Sequence, residues 1–410
     1  MDTQVTQALE QFRAALRSVR ELQQQNQNAA ALVELGKARA AVEAAGSDEM
    51  EVVEARGAAF SEEGVIMQRL NDARGALRSF QQAIEVFNTL PLDERNGRFR
   101  VQLATTQINL SVLYARERMF DESLRNLDSA YTHLQALPED QLATQRTLTL
   151  GVLQNRASVE IETRRMSEAE KTLREVVELG EAMLKAGEAR WVPQVVDASG
   201  RLAGVLRALG RAAEGLPFAE RAARWAEAAM ETDGQANGQM GLKLFVGTQL
   251  QLVDINFALD RFAQAETHLF RAVDTTNDVN AMLVGTGFYM ALLRYPDDRL
   301  AKGNLPKDEV EESLDELLQK LRSANLPGEL MDILVARRAV TTQARYDIAQ
   351  QVVAGYQGKQ IPANSAKAQL LQQLASDVQW RQAKDRPVDA ANGAAAAPEA
   401  DDSSNDDSDA

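Results

Sequence analysis

Hydrophobic side chains recur every three or four residues from Thr3 to about Trp380, with polar residues between them. This spacing places them on one face of an α-helix, because a helix turns once in 3.6 residues. The first such seam consists of Val5, Leu9, Phe12, Leu16 and Val19. The pattern predicts an all-α protein without paired strands.

The N-terminal seam has two interpretations, which the sequence leaves open. In the first, residues 1–56 form a helical cap that folds back onto the rest of the chain. In the second, the stripe from Val5 to Val19 joins two copies of the chain, as a seam of this spacing does in helix–helix dimers.

A motif of small and apolar residues repeats five times. Each copy has a small residue, a second residue four positions later and a third after a further three. The copies are Ala76-Phe80-Ala83, Ser123-Leu127-Ala130, Ala169-Leu173-Val176, Gly215-Ala219-Ala222 and Ala265-Leu269-Ala272. They lie 47, 46, 46 and 50 residues apart. Even spacing at this period predicts a stack of helix pairs, each burying one face on the next.

The repeats resemble the tetratricopeptide repeat family between about Gly57 and Thr276. The matching residues are Gly64, Phe80 and Ala83 in the first unit, Leu110, Tyr114, Leu127 and Ala130 in the second, and Ala265, Leu269 and Ala272 in the last. Units of ~34 residues are usual in that family, so these are longer by about a dozen. The resemblance implies a right-handed superhelical solenoid of antiparallel helix pairs, with a concave channel lined by the first helix of each pair.

We expect four regions. Residues 1–56 form the cap, 57–295 the repeat array, 296–385 C-terminal capping helices and 386–410 a disordered acidic tail. Within the C-terminal cap, the segment Tyr295–Pro306 reads as a loop, and a single long helix is expected from about residue 328 to Tyr356. The tail has too few apolar side chains to offset the entropy of ordering.

Composition narrows the functional classes. The net charge is -15 and no basic run exists, which argues against nucleic-acid binding. No apolar stretch is long enough to predict a membrane-spanning helix, and the N-terminus does not read as a secretory signal. The chain contains no cysteine, so thiolate chemistry is excluded. We therefore expect a cytoplasmic protein.

Catalytic and metal-binding patterns are weak. The two histidines, His133 and His268, are far apart in sequence and lack a second histidine at helical spacing. The glycine-rich stretch from Gly234 to Gly241 lacks the lysine of a phosphate-binding loop. We expect no enzymatic activity, no cofactor and no metal.

Polar residues occupy an equivalent position in five successive first helices, fourteen residues before each small residue. This row consists of Glu62, Asn109, Asn155, Arg201 and Gln251. Arg69 and Arg116 share a second row seven residues further along, and Arg207 lies close to it. One interpretation is a polar stripe in the channel that bonds a peptide backbone. The other is a set of ordinary contacts between neighbouring repeats.

Two functions fit this pattern. The first is a protein–protein interaction module, such as a scaffold, adaptor or assembly chaperone, that holds a peptide or a partner helix in its channel. The second is a peptide-responsive regulator. It would resemble bacterial pheromone receptors, which are long-helix tetratricopeptide arrays, but without their DNA-binding domain. The first 50 or so residues lack a basic recognition helix, which disfavours a DNA-binding version.

Overall fold

The computed structural model describes residues 3–92, 97–232, 238–276 and 279–385. Within these ranges the chain forms eighteen α-helices and no strand, which confirms the predicted all-α class. The backbone divides into two compact units, residues 1–259 and 260–410. The division falls inside the predicted array of residues 57–295. The acidic tail predicted for residues 386–410 lies outside the described residues.

The described residues of the first unit form eleven helices. Their bounds are α1 Thr3–Gln24, α2 Asn28–Ala44, α3 Met50–Arg69, α4 Ala73–Phe87, α5 Gly97–Arg116, α6 Phe120–Gln135, α7 Leu142–Glu162, α8 Met166–Lys185, α9 Val192–Ala208, α10 Ala212–Thr232 and α11 Gly238–Ala258. Each helix packs against the next one in sequence. Since the connections are short, consecutive helices run antiparallel. This succession of helix pairs is a tetratricopeptide-like solenoid, as predicted.

The N-terminal seam is buried inside the chain. Val5, Leu9, Phe12 and Val19 are at most 4% exposed. They share one hydrophobic cluster with side chains of α2 and α3, and Leu16 packs against that cluster. The seam thus packs within the chain and contributes to the core of the first unit.

Small residues on the second helices permit close packing. Ala76, Ala83 and Ala130 are fully buried. Gly64 of α3 faces Phe80 of α4 so closely that an added Cβ would lie 2.6 Å from the aromatic ring. The repeat motif found in the sequence is thus a packing motif between the two helices of a pair and their neighbours.

Replacing Ala130 with leucine is expected to destabilise the protein by about 1–3 kcal/mol, because a fully buried site must accept three more carbon atoms. Gln135→Leu adds an apolar side chain at an exposed position of the same helix and serves as the control. Urea unfolding followed by circular dichroism measures both. Equal stability of the two variants would show that the site can expand freely.

Four successive helix pairs share one turn between their first and second helices. The turn residue adopts a left-handed conformation in Asn71, Arg118, Arg164 and Gly210, with φ between 60° and 77°. The N–H of the following residue then bonds a carbonyl five positions back, as in Met119 to Tyr114 at 2.8 Å and Arg165 to Glu160 at 2.7 Å. This is the Schellman ending of a helix. These residues are 47, 46 and 46 apart, which is the period of the sequence repeat.

Seven helices lie in the described part of the second unit. Their bounds are α12 Phe262–Thr276, α13 Val279–Leu292, α14 Asp297–Lys302, α15 Lys307–Ser323, α16 Gly328–Gln343, α17 Tyr346–Ala354 and α18 Ala366–Lys384. The fifth predicted pair, α11 and α12, is divided between the two units. Within the second unit, α13 packs on α15, and α16 packs on both α17 and α18.

Two expectations for the C-terminal region are wrong. The segment Tyr295–Pro306 is not entirely a loop, because it contains α14, whose first turn carries Asp297 and Asp298. Carboxylates in the first turn stabilise a helix, because they interact favourably with the positive end of the helix dipole. The expected long helix to Tyr356 is interrupted at Ala344, which has a φ of 54°. Just before the break, the hydroxyls of Thr341 and Thr342 donate to main-chain carbonyls of α16.

A buried charge cluster joins the last helix to the rest of the second unit. Asp377 of α18 is fully buried and Arg337 of α16 is 4% exposed. The Nε of Arg337 donates to Asp377 at 2.7 Å, and Arg294, just after α13, donates to the other carboxylate oxygen. Arg337 also donates to Gln373 on α18. Three segments of the unit thus meet at one carboxylate.

Candidate partner-binding face of the first unit

Most first helices pack directly on the first helix of a neighbouring repeat. Backbone contacts join α3 to α5, α5 to α7 and α9 to α11. Consecutive second helices lie farther apart and meet through long charged side chains, such as Arg221 of α10 and Glu181 of α8 at 3.2 Å. When one side of a stack is tighter than the other, the stack bends toward the tight side. The first helices therefore form the inner face of the first unit.

Polar bonds cross this inner face between neighbouring first helices. Ser61 of α3 and Thr106 of α5 share a hydrogen bond of 3.0 Å. Glu54 of α3 accepts a 3.0 Å hydrogen bond from Gln102 and pairs with Arg98 at 3.2 Å, both on α5. These bonds fix the spacing of successive repeats. They also make the inner face polar, so it can form hydrogen bonds with other groups.

Three members of the predicted polar row contact the preceding first helix. Glu62 accepts a 2.8 Å hydrogen bond from Gln23 of α1. Arg201 donates to Ser158 of α7 at 3.0 Å. The amide of Gln251 lies over Gly200 of α9, where an added Cβ would be 2.1 Å from its oxygen. These three contacts are the intramolecular kind that the second interpretation of the row expected.

The two asparagines of the row are different. Asn109 of α5 and Asn155 of α7 are half-buried, and neither makes a hydrogen bond to another of the described residues. Each amide offers two donor hydrogens and an acceptor oxygen. Such groups on an inner helical surface are suited to bond the main chain of an extended peptide, which needs a donor and an acceptor together.

The second predicted row is exposed. Arg69 and Arg116 are the last residues of α3 and α5, and Arg207 lies in the last turn of α9. All three side chains are exposed, so they reach the solvent at the turn end of the first helices. Guanidinium groups there also interact favourably with the negative end of each helix dipole.

A cleft of about 320 Å³ lies between the C-terminal ends of α5 and α7. It brings together two of the predicted residues, Arg116 and Asn155. The rest of its lining consists of Ser111, Val112, Ala115, Arg118, Ser123, Ser158, Val159 and Glu162. The predicted residues Arg69, Asn109, Arg201, Arg207 and Gln251 do not line it.

Sequence reasoning missed Arg118, Ser158 and Glu162 as members of this cleft. Arg118 occupies the turn position that recurs as Asn71, Arg164 and Gly210. That periodicity was visible in the sequence as a recurring short polar segment between helices. The proximity of Arg118 to α7 was not visible, because it depends on how far one repeat is rotated against the next.

His133 is one of the two histidines of the chain. It is half-buried on α6, and burial, followed by the nearby positive charge of Arg100, lowers its pKa. The imidazole is therefore neutral at pH 7. Across the described ranges, no three acidic or histidine side chains converge as metal ligands would. The same ranges contain no helix that is long and apolar enough to cross a membrane.

Comparisons with known proteins assign neither a family nor a function to the whole chain. A family model described as a family of unknown function, DUF6483, matches residues 223–322. No curated protein matches the chain. Among solved structures, BtubC (BKLC) from P. vanneervenii is 17% identical, with a TM-score of 0.44 over 65% of this chain and 89% of that one.

Two further structures are similar at the same level. The apo form of RapI is 10% identical, with a TM-score of 0.45 over 79% of this chain and 98% of that one. A tetratricopeptide repeat protein from Parabacteroides merdae ATCC 43184 is 11% identical, with a TM-score of 0.45 over 80% and 98%.

Proposed function

We propose that the protein is a non-enzymatic protein–protein interaction module that binds an extended peptide segment of a partner along the inner face of its first unit. The observation that carries this proposal is the pair Asn109 and Asn155. They lie at equivalent positions of adjacent first helices, half-buried, with no hydrogen bond inside the described part of the chain. Because the described residues do not engage these amides, their donors and acceptors are available to the main chain of a bound peptide.

The spacing of the two amides supports an extended ligand. Asn109 and Asn155 stand on helices α5 and α7, which pack directly on each other. Adjacent packed helices lie ~8–10 Å apart, and a β-strand advances ~3.3 Å per residue. One amide therefore meets an extended peptide about every three residues. The cleft beside Asn155 provides room for a side chain of that peptide.

The test is the double variant Asn109→Ala with Asn155→Ala. The wild-type full chain and its double variant are each purified from the native cell, and the bound proteins and peptides are quantified by mass spectrometry. The wild type is expected to retain a partner that the double variant loses. Two lost hydrogen bonds weaken binding by about 2–4 kcal/mol, or roughly 30- to 1,000-fold.

The matched control is Asn126→Ala. Asn126 lies on the second helix α6, and its amide already donates to the carbonyl of Glu122 at 2.9 Å. The control makes the same chemical change away from the inner face and is expected to retain the partner. A folded double variant that captures the partner as well as the wild type would refute the assignment of the two asparagines. If the captured ligand is a free short peptide, the chain acts as a peptide-responsive regulator.

A further inference from the structure

We infer that the cleft between α5 and α7 recognises an aspartate or glutamate side chain of the bound peptide, through Arg116 and Arg118. The inference rests on the proposed function and names the chemistry of its partner. Both arginines line the 320 Å³ cleft, together with the amide of Asn155. An acidic segment would thus bond its main chain to the asparagine and its carboxylate to a guanidinium group.

The arginines near the cleft differ in whether they have acidic partners. Three nearby arginines are paired. They are Arg165 with Asp121 at 3.0 Å, Arg201 with Asp197 at 3.7 Å, and Arg211 with Glu170 at 2.7 Å. Arg116 and Arg118 are exposed and form no ion pair within the described part of the chain. In a chain of net charge -15, acidic groups are abundant, yet these two guanidinium groups remain open to an external carboxylate.

The shape of the cleft also follows from its side chains. Ser111, Ala115, Ser123 and Ser158 are small, so they leave space between the two helices. In the next repeat, the residue equivalent to Asn155 is Arg201, whose guanidinium group reaches back to Ser158 at 3.0 Å. The shorter asparagine leaves the corresponding volume between α5 and α7 open. An acidic side chain has the size and the charge to enter it.

Glu162 allows a variant that should strengthen the binding of an acidic peptide instead of weakening it. It lines the same cleft and is exposed at the end of α7. Its carboxylate repels an acidic ligand and offsets one of the two positive charges. Removing this charge should strengthen the binding of an acidic peptide, whereas removing either arginine should weaken it.

The backbone conformation of Arg118 allows a variant that removes its guanidinium group without destabilising the fold. Its φ of 60° places it in the left-handed region, which favours glycine. Arg118→Gly relieves this strain and is expected to raise the melting temperature by about 1–3 °C. Arg164 has the same φ at the next turn but does not line the cleft. Arg164→Gly is therefore the matched control, with the same gain in stability.

The experiment measures fluorescence anisotropy of three labelled peptides of equal length on the full chain. In the first peptide aspartate alternates with alanine, and in the others asparagine or lysine replaces the aspartate. The aspartate peptide is expected to bind, and more weakly at high salt. Arg116→Ala and Arg118→Gly should each weaken it at least ~10-fold, because a charge-assisted bond is lost. Glu162→Gln should tighten it, and Arg164→Gly should leave it unchanged.

Three results would overturn the inference: no saturable binding of the aspartate peptide, equal binding of the asparagine peptide, or full binding by both arginine variants. Its failure is distinguishable from failure of the proposed function. If Asn109→Ala with Asn155→Ala loses the native partner while the arginine variants keep it, the inner face binds a peptide without recognising an acidic side chain. Loss of the native partner in the arginine variants as well would support both.

Discussion

Replacing Asp377 with alanine is expected to lower the free energy of unfolding of the second unit by about 3–5 kcal/mol. The carboxylate is fully buried and accepts bonds from both Arg337 and Arg294. Its removal leaves Arg337, which is 4% exposed, as a buried positive charge with the amide oxygen of Gln373 as its remaining side-chain partner. The cost therefore arises mainly from desolvating an unpaired guanidinium group.

Two variants separate this effect from a general loss of an acidic residue. Asp385→Ala removes a carboxylate just beyond α18 that is exposed and bonds to Tyr346 and Arg381, and it should cost less than about 1 kcal/mol. Asp377→Leu combined with Arg337→Met removes both charges and should be less destabilising than Asp377→Ala. Urea unfolding of the full chain, with hydrogen exchange to assign the transition to the second unit, checks both. A wild-type-like Asp377→Ala would show that water reaches Arg337.

Phe80→Ala is expected to lower the free energy of unfolding of the first unit by about 3–5 kcal/mol. Phe80 is fully buried and belongs to a cluster with Leu110, Leu113 and Tyr114 of the next first helix. Truncating the ring leaves a cavity between two repeats, so both lose packing. Denaturant unfolding measures the loss, with the slope of the transition as a check that it remains cooperative.

The neighbouring glycine makes this prediction sharper. Gly64→Ala in the wild type places a Cβ 2.6 Å from the ring of Phe80 and should destabilise by about 1–3 kcal/mol. In the Phe80→Ala background the ring is absent, and the same change should stabilise by about 0.5–1 kcal/mol, since alanine favours a helix over glycine. A double-mutant cycle measures this reversal of sign. Additive effects would mean that Phe80 and Gly64 are not in contact.

The repeat register could be read from the sequence because it depends on local periodicity. Ala76, Phe80 and Ala83 recur at nearly constant spacing, and all three are fully buried where helix pairs meet. The sequence also predicted that the N-terminal seam is one face of a helix, but it did not predict which surface covers that face. In the structure, the seam from Val5 to Val19 packs against an apolar surface of α2 and α3.

The sequence by itself determined that the protein is all-α, that its helices come in pairs at a period of 46–50 residues, and which positions pack. These features follow from the spacing of apolar and small side chains along a helix. Only the tertiary structure decided which polar residues of one row are bonded and which are open. Arg201 donates to Ser158, whereas Asn155 forms no hydrogen bond within the described part of the chain, and Arg118 lines the cleft from a turn. Such contacts depend on the distance and rotation between neighbouring repeats, which long-range packing sets and local periodicity does not encode.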